Sequence, residues 1–211
     1  MRIAIIGAAG KAGTAIAAES LKRGHQVSAI VRHPENLTQT ISFIQKDLFN
    51  LERQDLAAFD VVVNAVSMPP GQEENHVTAG RHLIHLLSGK STPRLFVVGG
   101  AGSLFTDSTK TMRVMDSPGF PDFVYPTALN QAINLADLQK TTDMSWTFLS
   151  PSATFANGKR TGHYQTGADI LLINSQGKSY VSYEDFAVAA VDELEAPKHM
   201  NQRFTVVSEL N

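Results

Sequence analysis

The chain has no cysteine and a single tryptophan. The first absence removes thiol catalysis, disulfide frameworks and cysteine-zinc sites, and it suits a reducing cytosol. Charge of one sign is missing too: 18 basic residues stand against 20 acidic ones, a formal balance of -2. Such a balance lacks the basic field by which nucleic acid or an anionic membrane is bound, so neither is expected as a partner. Long apolar runs are also lacking. The longest, such as 59–66 and 95–98, fall far short of the roughly 18 residues that span a bilayer. The apolar start Ile3-Ala4-Ile5-Ile6 is soon interrupted by Lys11, too early for a secretory leader, and a cytoplasmic protein is expected. No Gly-x-Ser-x-Gly elbow follows a strand pattern, which excludes the common serine-hydrolase arrangement.

What remains is an ordinary globular composition, 43% hydrophobic over 211 residues, large enough to bury a core without staples. Short β-branched runs alternate with longer helical patterns. They predict strands over 2–6, 26–31, 42–46, 61–65, 94–98 and 146–149, and helices over 13–23, 54–58, 73–87 and 127–141. That alternation specifies an α/β protein with a Rossmann-type, doubly wound parallel sheet. Past residue 150 the pattern changes: 161–176 reads as irregular, 178–182 and 203–207 as strands, and 183–193 as a helix. With no boundary, repeat or low-complexity tract, 1–211 is read as one nucleotide-binding domain. Its small C-terminal α/β addition, 151–211, supplies the substrate side.

The strongest motif directly follows the first strand: Gly7-Ala8-Ala9-Gly10-Lys11-Ala12-Gly13. Gly7 permits a tight turn, Gly10 lets backbone approach a pyrophosphate, and Gly13 lets the helix pack on the strand. Backbone groups from Ala9 to Gly13 then face the anion at a helix N-terminus. An NAD site carries a carboxylate about 20 residues on, at the end of the second strand. Here the strand ends Val31-Arg32-His33, with a cation where a 2'-phosphate would lie, so NADP(H) is favoured over NAD(H). Lys11 and His33 are either helpers or solvated side chains. Asp47, beside Leu48, either accepts from the adenine amino group or caps a turn. Asn64-Ala65-Val66-Ser67 is small enough to run beside the adenosine.

The loops after the fifth and sixth strands, Gly99-Gly100-Ala101-Gly102-Ser103 and Ser150-Pro151-Ser152, leave the carboxyl edge of the sheet, where open α/β folds bind ligands. Ser150 and Pro151 are placed to fix the nicotinamide. Ser103 is a candidate substrate donor or a turn serine, and Tyr125 is a pocket residue or a staple at the start of a helix. Met68, Phe105, Phe155 and Tyr164 are candidate walls for a planar ring, or simply core. His76, His82 and His85 are read as a helix face, with no metal site.

Together, the Gly7–Gly13 loop, Val31-Arg32, Gly99-Gly100-Ala101-Gly102-Ser103-Leu104, Tyr125-Pro126, Trp146-Thr147-Phe148-Leu149-Ser150-Pro151, Arg160-Thr161-Gly162, Ser182-Tyr183-Glu184-Asp185 and Arg203-Phe204-Thr205-Val206 resemble the atypical short-chain dehydrogenase/reductases of the NADH-flavin reductase group. Biliverdin reductase B and NmrA-like proteins are similar at greater distance. The resemblance covers nearly the whole chain. It implies a Rossmann domain, a nicotinamide cofactor and a pocket above its ring. One departure matters: other members of the wider superfamily place a lysine four residues after the tyrosine, and here Tyr125 is followed at that spacing by Leu129. A lysine there lowers the tyrosine pKa for protonating a new alkoxide. Its loss disfavours ketone reduction and sugar epimerisation. The expectation is hydride transfer from NADPH to a planar flavin or quinone-like acceptor, with a non-catalytic NADP(H)-binding redox sensor as the alternative.

Overall fold

The computed structural model describes residues 1–210. Five segments form the parallel centre of the sheet, apolar over most of their length, or from Leu95 onward in the segment 90–98, because both of their faces are covered there. They are β1 (Arg2–Ile6), β2 (Gln26–Val31), β4 (Val61–Asn64), β5 (Lys90–Val98) and β6 (Met144–Ser150). The shorter, more exposed β3 (Ser42–Gln45) occupies one edge. Beyond β6 come β10 (Gln202–Ser208), parallel to it, and β8 (Tyr164–Gly167), antiparallel to β10, giving the order β3-β2-β1-β4-β5-β6-β10-β8. This is a Rossmann-like α/β fold. Strand order reverses between β1 and β4, and in open α/β sheets the crevice at that point takes the ligand.

One face of the sheet carries α1 (Lys11–Lys22) and α5 (Tyr183–Glu195), packed on Ile3, Ile5, Val63, Phe96 and Phe204. The other carries α3 (Asn75–Leu87) and α4 (Tyr125–Leu138), packed on Ala4, Ile6, Val62, Leu95 and Trp146. The helix α2 is a single turn, Arg53–Leu56. The sequence dictates several ends. Ser182 caps α5 by accepting from the Asp185 amide at 2.9 Å, with Glu184 and Asp185 complementing the helix dipole in the first turn. Pro126 sits in the first turn of α4, where its missing N–H costs nothing, so the helix starts two residues earlier than its apolar pattern predicts.

The 161–176 segment, expected to be irregular, contains β8, whose Tyr-Gln-Thr-Gly sequence is polar because it lies at an edge. A two-stranded parallel ribbon, β7 (Thr154–Ala156) with β9 (Tyr180–Ser182), sits beside α5. There Phe155 packs 4.1 Å from the ring centre of Tyr183 and 4.7 Å from that of Phe186.

Candidate functional site

Gly7 leaves β1 with φ +81°, and a Cβ there would stand 2.8 Å from the Ala65 carbonyl oxygen. The turn therefore needs glycine both for its backbone angle and for its approach to the chain beyond β4. A Cβ on Gly13 would lie 2.2 Å from the Gly7 oxygen, so this position lets α1 close onto the turn. Gly10 differs. Its nearest neighbour would be the Gly7 oxygen at 3.3 Å, leaving its outer side open to a ligand. Gly10 is the N-cap of α1 and offers no side chain to the first helical amides, so those of Lys11, Ala12 and Gly13 are free for an anion, with the helix dipole behind them.

Beside the glycine turn lies a cleft of about 300 Å³ lined by Gly7, Ala9 and Gly10, by Arg32 and His33 after β2, by Asp47 and Leu48 after β3, and by Ala65 to Met68 after β4. The cleft thus collects residues from the carboxyl ends of four strands at the switch point. A dinucleotide fits this donor set: unpaired amides for the pyrophosphate, a guanidinium at one end, and small residues between. Asn64 lies just below, its Oδ1 accepting from the Val66 amide at 3.3 Å and shaping the turn. Gln72, from the loop before α3, and Asn75, the first residue of that helix, also line the cleft. Sequence reasoning missed them because nothing in an exposed polar loop reveals which sheet edge it folds across.

Arg32 is largely exposed, and its Nη1 stands 3.9 Å from Asp47 Oδ2. Asp47 Oδ1 accepts from the Phe49 amide at 2.9 Å, capping a short turn, which is the second of the two roles open to it from sequence. Arg32 therefore has a carboxylate nearby after all, supplied by the segment after β3 rather than by β2.

The other expected residues do not all gather here. Lys11 lines a separate groove on the flank of α1 and not the cleft that Arg32 lines. Ser150 and Pro151 end β6 at the carboxyl edge, but both are buried; the Ser150 carbonyl accepts from Thr205 Oγ1 at 2.9 Å. Ser103 is buried, with its Oγ accepting from Arg203 Nη1 at 3.1 Å and its carbonyl accepting from the same nitrogen at 3.0 Å. It is held against β10 by Arg203 and does not line the cleft. Tyr125, 39% exposed, meets Phe120 edge-on at 6.5 Å, and Leu129 is exposed one turn later.

Of the four candidate walls, only Met68 lines the cleft. Phe155 packs on α5, Tyr164 donates to Asp192 Oδ2 at 2.5 Å, and Phe105 bridges to Arg113 and Ile170. Burial, with the Asp192 carboxylate beside it, pushes the Tyr164 phenol above its usual range. His82 Nε2 bonds the Leu51 carbonyl at 3.0 Å. The His76 Nε2 is buried without a partner, and burial lowers its pKa.

The flank groove, about 480 Å³, lies between α1 and the C-terminal addition. Glu19, with its side chain 4% exposed, anchors that junction. Arg160 donates to both of its oxygens at 2.7 and 2.8 Å, and Arg23 Nε adds a bond at 2.8 Å. The Arg160 hydrogen bonds, helped by Arg23, hold the Glu19 carboxyl down to about 2 against the opposing effect of burial.

Fold, glycine turn and free helix amides together define a nucleotide-binding protein whose crevice lies at the β1/β4 switch point. The chain belongs to the NAD(P)H-binding family, whose model matches residues 7–197. It is 56% identical over 211 residues, 99% of each chain, to the protein YwnB of Bacillus subtilis strain 168, which is described as uncharacterized. Among solved structures, it resembles a Streptococcus pneumoniae TIGR4 protein provisionally described as an NADH-flavin reductase. That match has 41% identity and a TM-score of 0.94, covering 99% of this chain and 100% of that one. A Bacteroides thetaiotaomicron protein, provisionally described as an epimerase, is 33% identical with a TM-score of 0.88, over 100% of this chain and 97% of that one.

Proposed function

We propose that this chain is a cytosolic oxidoreductase that uses NADPH to reduce a planar acceptor of the flavin or quinone class. The observation that carries the reading is the cleft itself, which brings the glycine turn at the N-cap of α1 and the Arg32 guanidinium to one volume. The likeness to the pneumococcal protein, by its description, supports the acceptor class.

When bound, the reduced nicotinamide supplies a hydride; with one proton from water, the acceptor gains two electrons and two protons while the cofactor becomes NADP⁺. The protein's share is placement. The amides of Lys11, Ala12 and Gly13 neutralise the pyrophosphate, Arg32 holds the 2'-phosphate, and Ala65, Val66 and Met68 exclude water along the middle of the cleft. With Leu129 one turn after Tyr125, no lysine stands at that spacing to help deliver a proton to a new alkoxide. A conjugated ring spreads the incoming charge and tolerates that loss, whereas a ketone does not.

A second reading, an NADP(H)-binding redox sensor, draws on Tyr125 and Leu129 and on Ser103 being tied to Arg203, since none of these brings an acid to the cleft. One experiment separates the two: anaerobic mixing of the protein with NADPH or NADH and with FMN or menadione, alongside a cofactor titration. Protein-dependent oxidation, faster with NADPH, supports the reductase. Tight NADPH binding without oxidation transfers the assignment to the sensor, and no binding of either cofactor overturns both.

A further inference from the structure

The groove on the flank of α1 is separate from the cleft, yet Ala9 lines both, so the glycine loop borders the two volumes. Its floor is one face of α1: Lys11, Thr14 and Ala15, Ala18 and Glu19, then Lys22. Three and four residues apart, these side chains stack along the helix for about 16 Å at 1.5 Å per residue. The alanines keep the middle shallow and apolar. The facing wall is Asn157, Arg160, Tyr183 and Glu184 from the C-terminal addition. Tyr183 is held against Phe155, and its hydroxyl makes no hydrogen bond among the described residues.

Charge is distributed unevenly along this trough. Both Glu19 oxygens are taken by arginines, and Glu184 Oε2 accepts from the Gly158 amide at 3.2 Å. Among the described residues, Lys11 and Lys22 form no ion pair, and Arg160 spends Nε and Nη2 on Glu19 while Nη1 makes no hydrogen bond. Lys22 lies three turns from the free amides of α1, out of reach of a pyrophosphate held there. The cofactor's own phosphates therefore leave this cation unused.

We propose that the groove receives the acceptor and selects one with a terminal phosphate, a flavin mononucleotide rather than riboflavin or a simple quinone. This rests on the reductase reading. The ring would lie against Ala9 and Tyr183 at the end nearest the glycine loop, with the chain running over Ala15 and Ala18 to a phosphate between Lys22 and Arg160. The apolar middle and cationic far end match those two parts of the ligand.

The test is a flavin-fluorescence titration of the protein saturated with NADP⁺, so that no turnover intervenes, comparing FMN with riboflavin. FMN is expected to bind about tenfold more tightly at low ionic strength, with the gap closing as salt rises. Lys22→Glu, at an exposed position, is expected to abolish the gap while leaving riboflavin and NADP⁺ affinities unchanged. Equal binding of the two flavins, no binding of either, or a gap untouched by Lys22→Glu overturns the proposal. NADPH oxidation with riboflavin as acceptor reports on the reductase separately. Riboflavin turnover without FMN selectivity sinks the groove assignment alone; FMN-selective binding without turnover of either flavin keeps the phosphate site and removes the reductase.

Discussion

Arg32 Nη1 lies 3.9 Å from Asp47 Oδ2 in the cleft, so the guanidinium proposed to read a 2'-phosphate has a carboxylate beside it, from the segment that follows the neighbouring strand. The two charges act in opposite directions on the same ligand. Arg32→Glu removes a charge-assisted contact and adds a repulsion, and is expected to weaken NADPH binding about fiftyfold with little change for NADH. Asp47→Asn keeps the acceptor for the Phe49 amide but drops the negative charge, and is expected to strengthen NADPH binding about threefold. Cofactor titrations of both variants check this; equal losses for the two cofactors in Arg32→Glu refute the phosphate role.

Gly13 carries a different constraint, since a Cβ there would fall 2.2 Å from the backbone oxygen of Gly7, which is not a flexible end that can step aside. Gly13→Ala must push α1 off the turn and misplace the amides that face the pyrophosphate. A loss of about 2 kcal/mol in stability is expected, about 4 to 8 °C in Tm, together with weaker binding of both cofactors. Gly24→Ala provides a contrast. That position also has a positive φ, +79°, but nothing lies within 4 Å of its Cβ, so its cost is confined to the backbone and cofactor binding stays intact. Thermal melts with and without NADPH distinguish the two.

The carboxyl of Glu19, held near 2, links the C-terminal addition to α1, and this sets a pH dependence. A carboxylate whose pKa is depressed on folding stabilises the protein fully above its unfolded value of 4.5 and loses that contribution as pH falls toward 2. With Arg160 partly in water, the screened contribution is about 2 kcal/mol. Glu19→Gln is therefore expected to be less stable than the parent at pH 7 and to converge with it as pH drops through 4 to 2. Urea midpoints measured across that range test the sign; a constant difference would show that packing, not charge, joins the two parts.

How much of this was legible from sequence follows from where each signal comes from. The central strands are largely apolar on both faces and stood out, as did the glycine turn, where Gly7 and Gly13 each answer a backbone requirement. The edge strand β8 did not, because Tyr164 to Gly167 carries no periodic apolar side chain. Side-chain direction was the harder problem. Lys11 lies one residue after Gly10, yet it lines the flank groove and not the cleft, and spacing alone does not show that. Phe155 and Tyr164 were legible as apolar, but which surface they cover depends on α5, which follows them in the chain. Asp47 reaches Arg32 because β3 pairs with β2, a pairing between segments more than ten residues apart.

Arg203 decides what Ser103 can do. Its side chain is 4% exposed, with Nη1 spent on the Ser103 carbonyl and hydroxyl, and Nε and Nη2 on Asp169 Oδ1 at 3.0 and 2.6 Å. Burial acts to raise the Asp169 pKa, but the bonds from Arg203 and from Lys110, at 3.0 Å, outweigh it and leave it lowered, so the ion pair persists at neutral pH. The arrangement fastens the loop after β5 onto β10, with the Ser103 oxygen as one point of attachment. Ser103→Ala is thus expected to cost about 1 kcal/mol of stability while turnover with a flavin stays within about threefold of the parent. A serine acting as the proton donor would lose about a hundredfold or more. Arg203→Met, which leaves Asp169 without its principal partner, is expected to lose about 3 kcal/mol and to loosen the loop, read as faster amide exchange from Gly100 to Phe105. A hundredfold fall in turnover for Ser103→Ala with an unchanged melting temperature would reverse this assignment and return the serine to the chemistry.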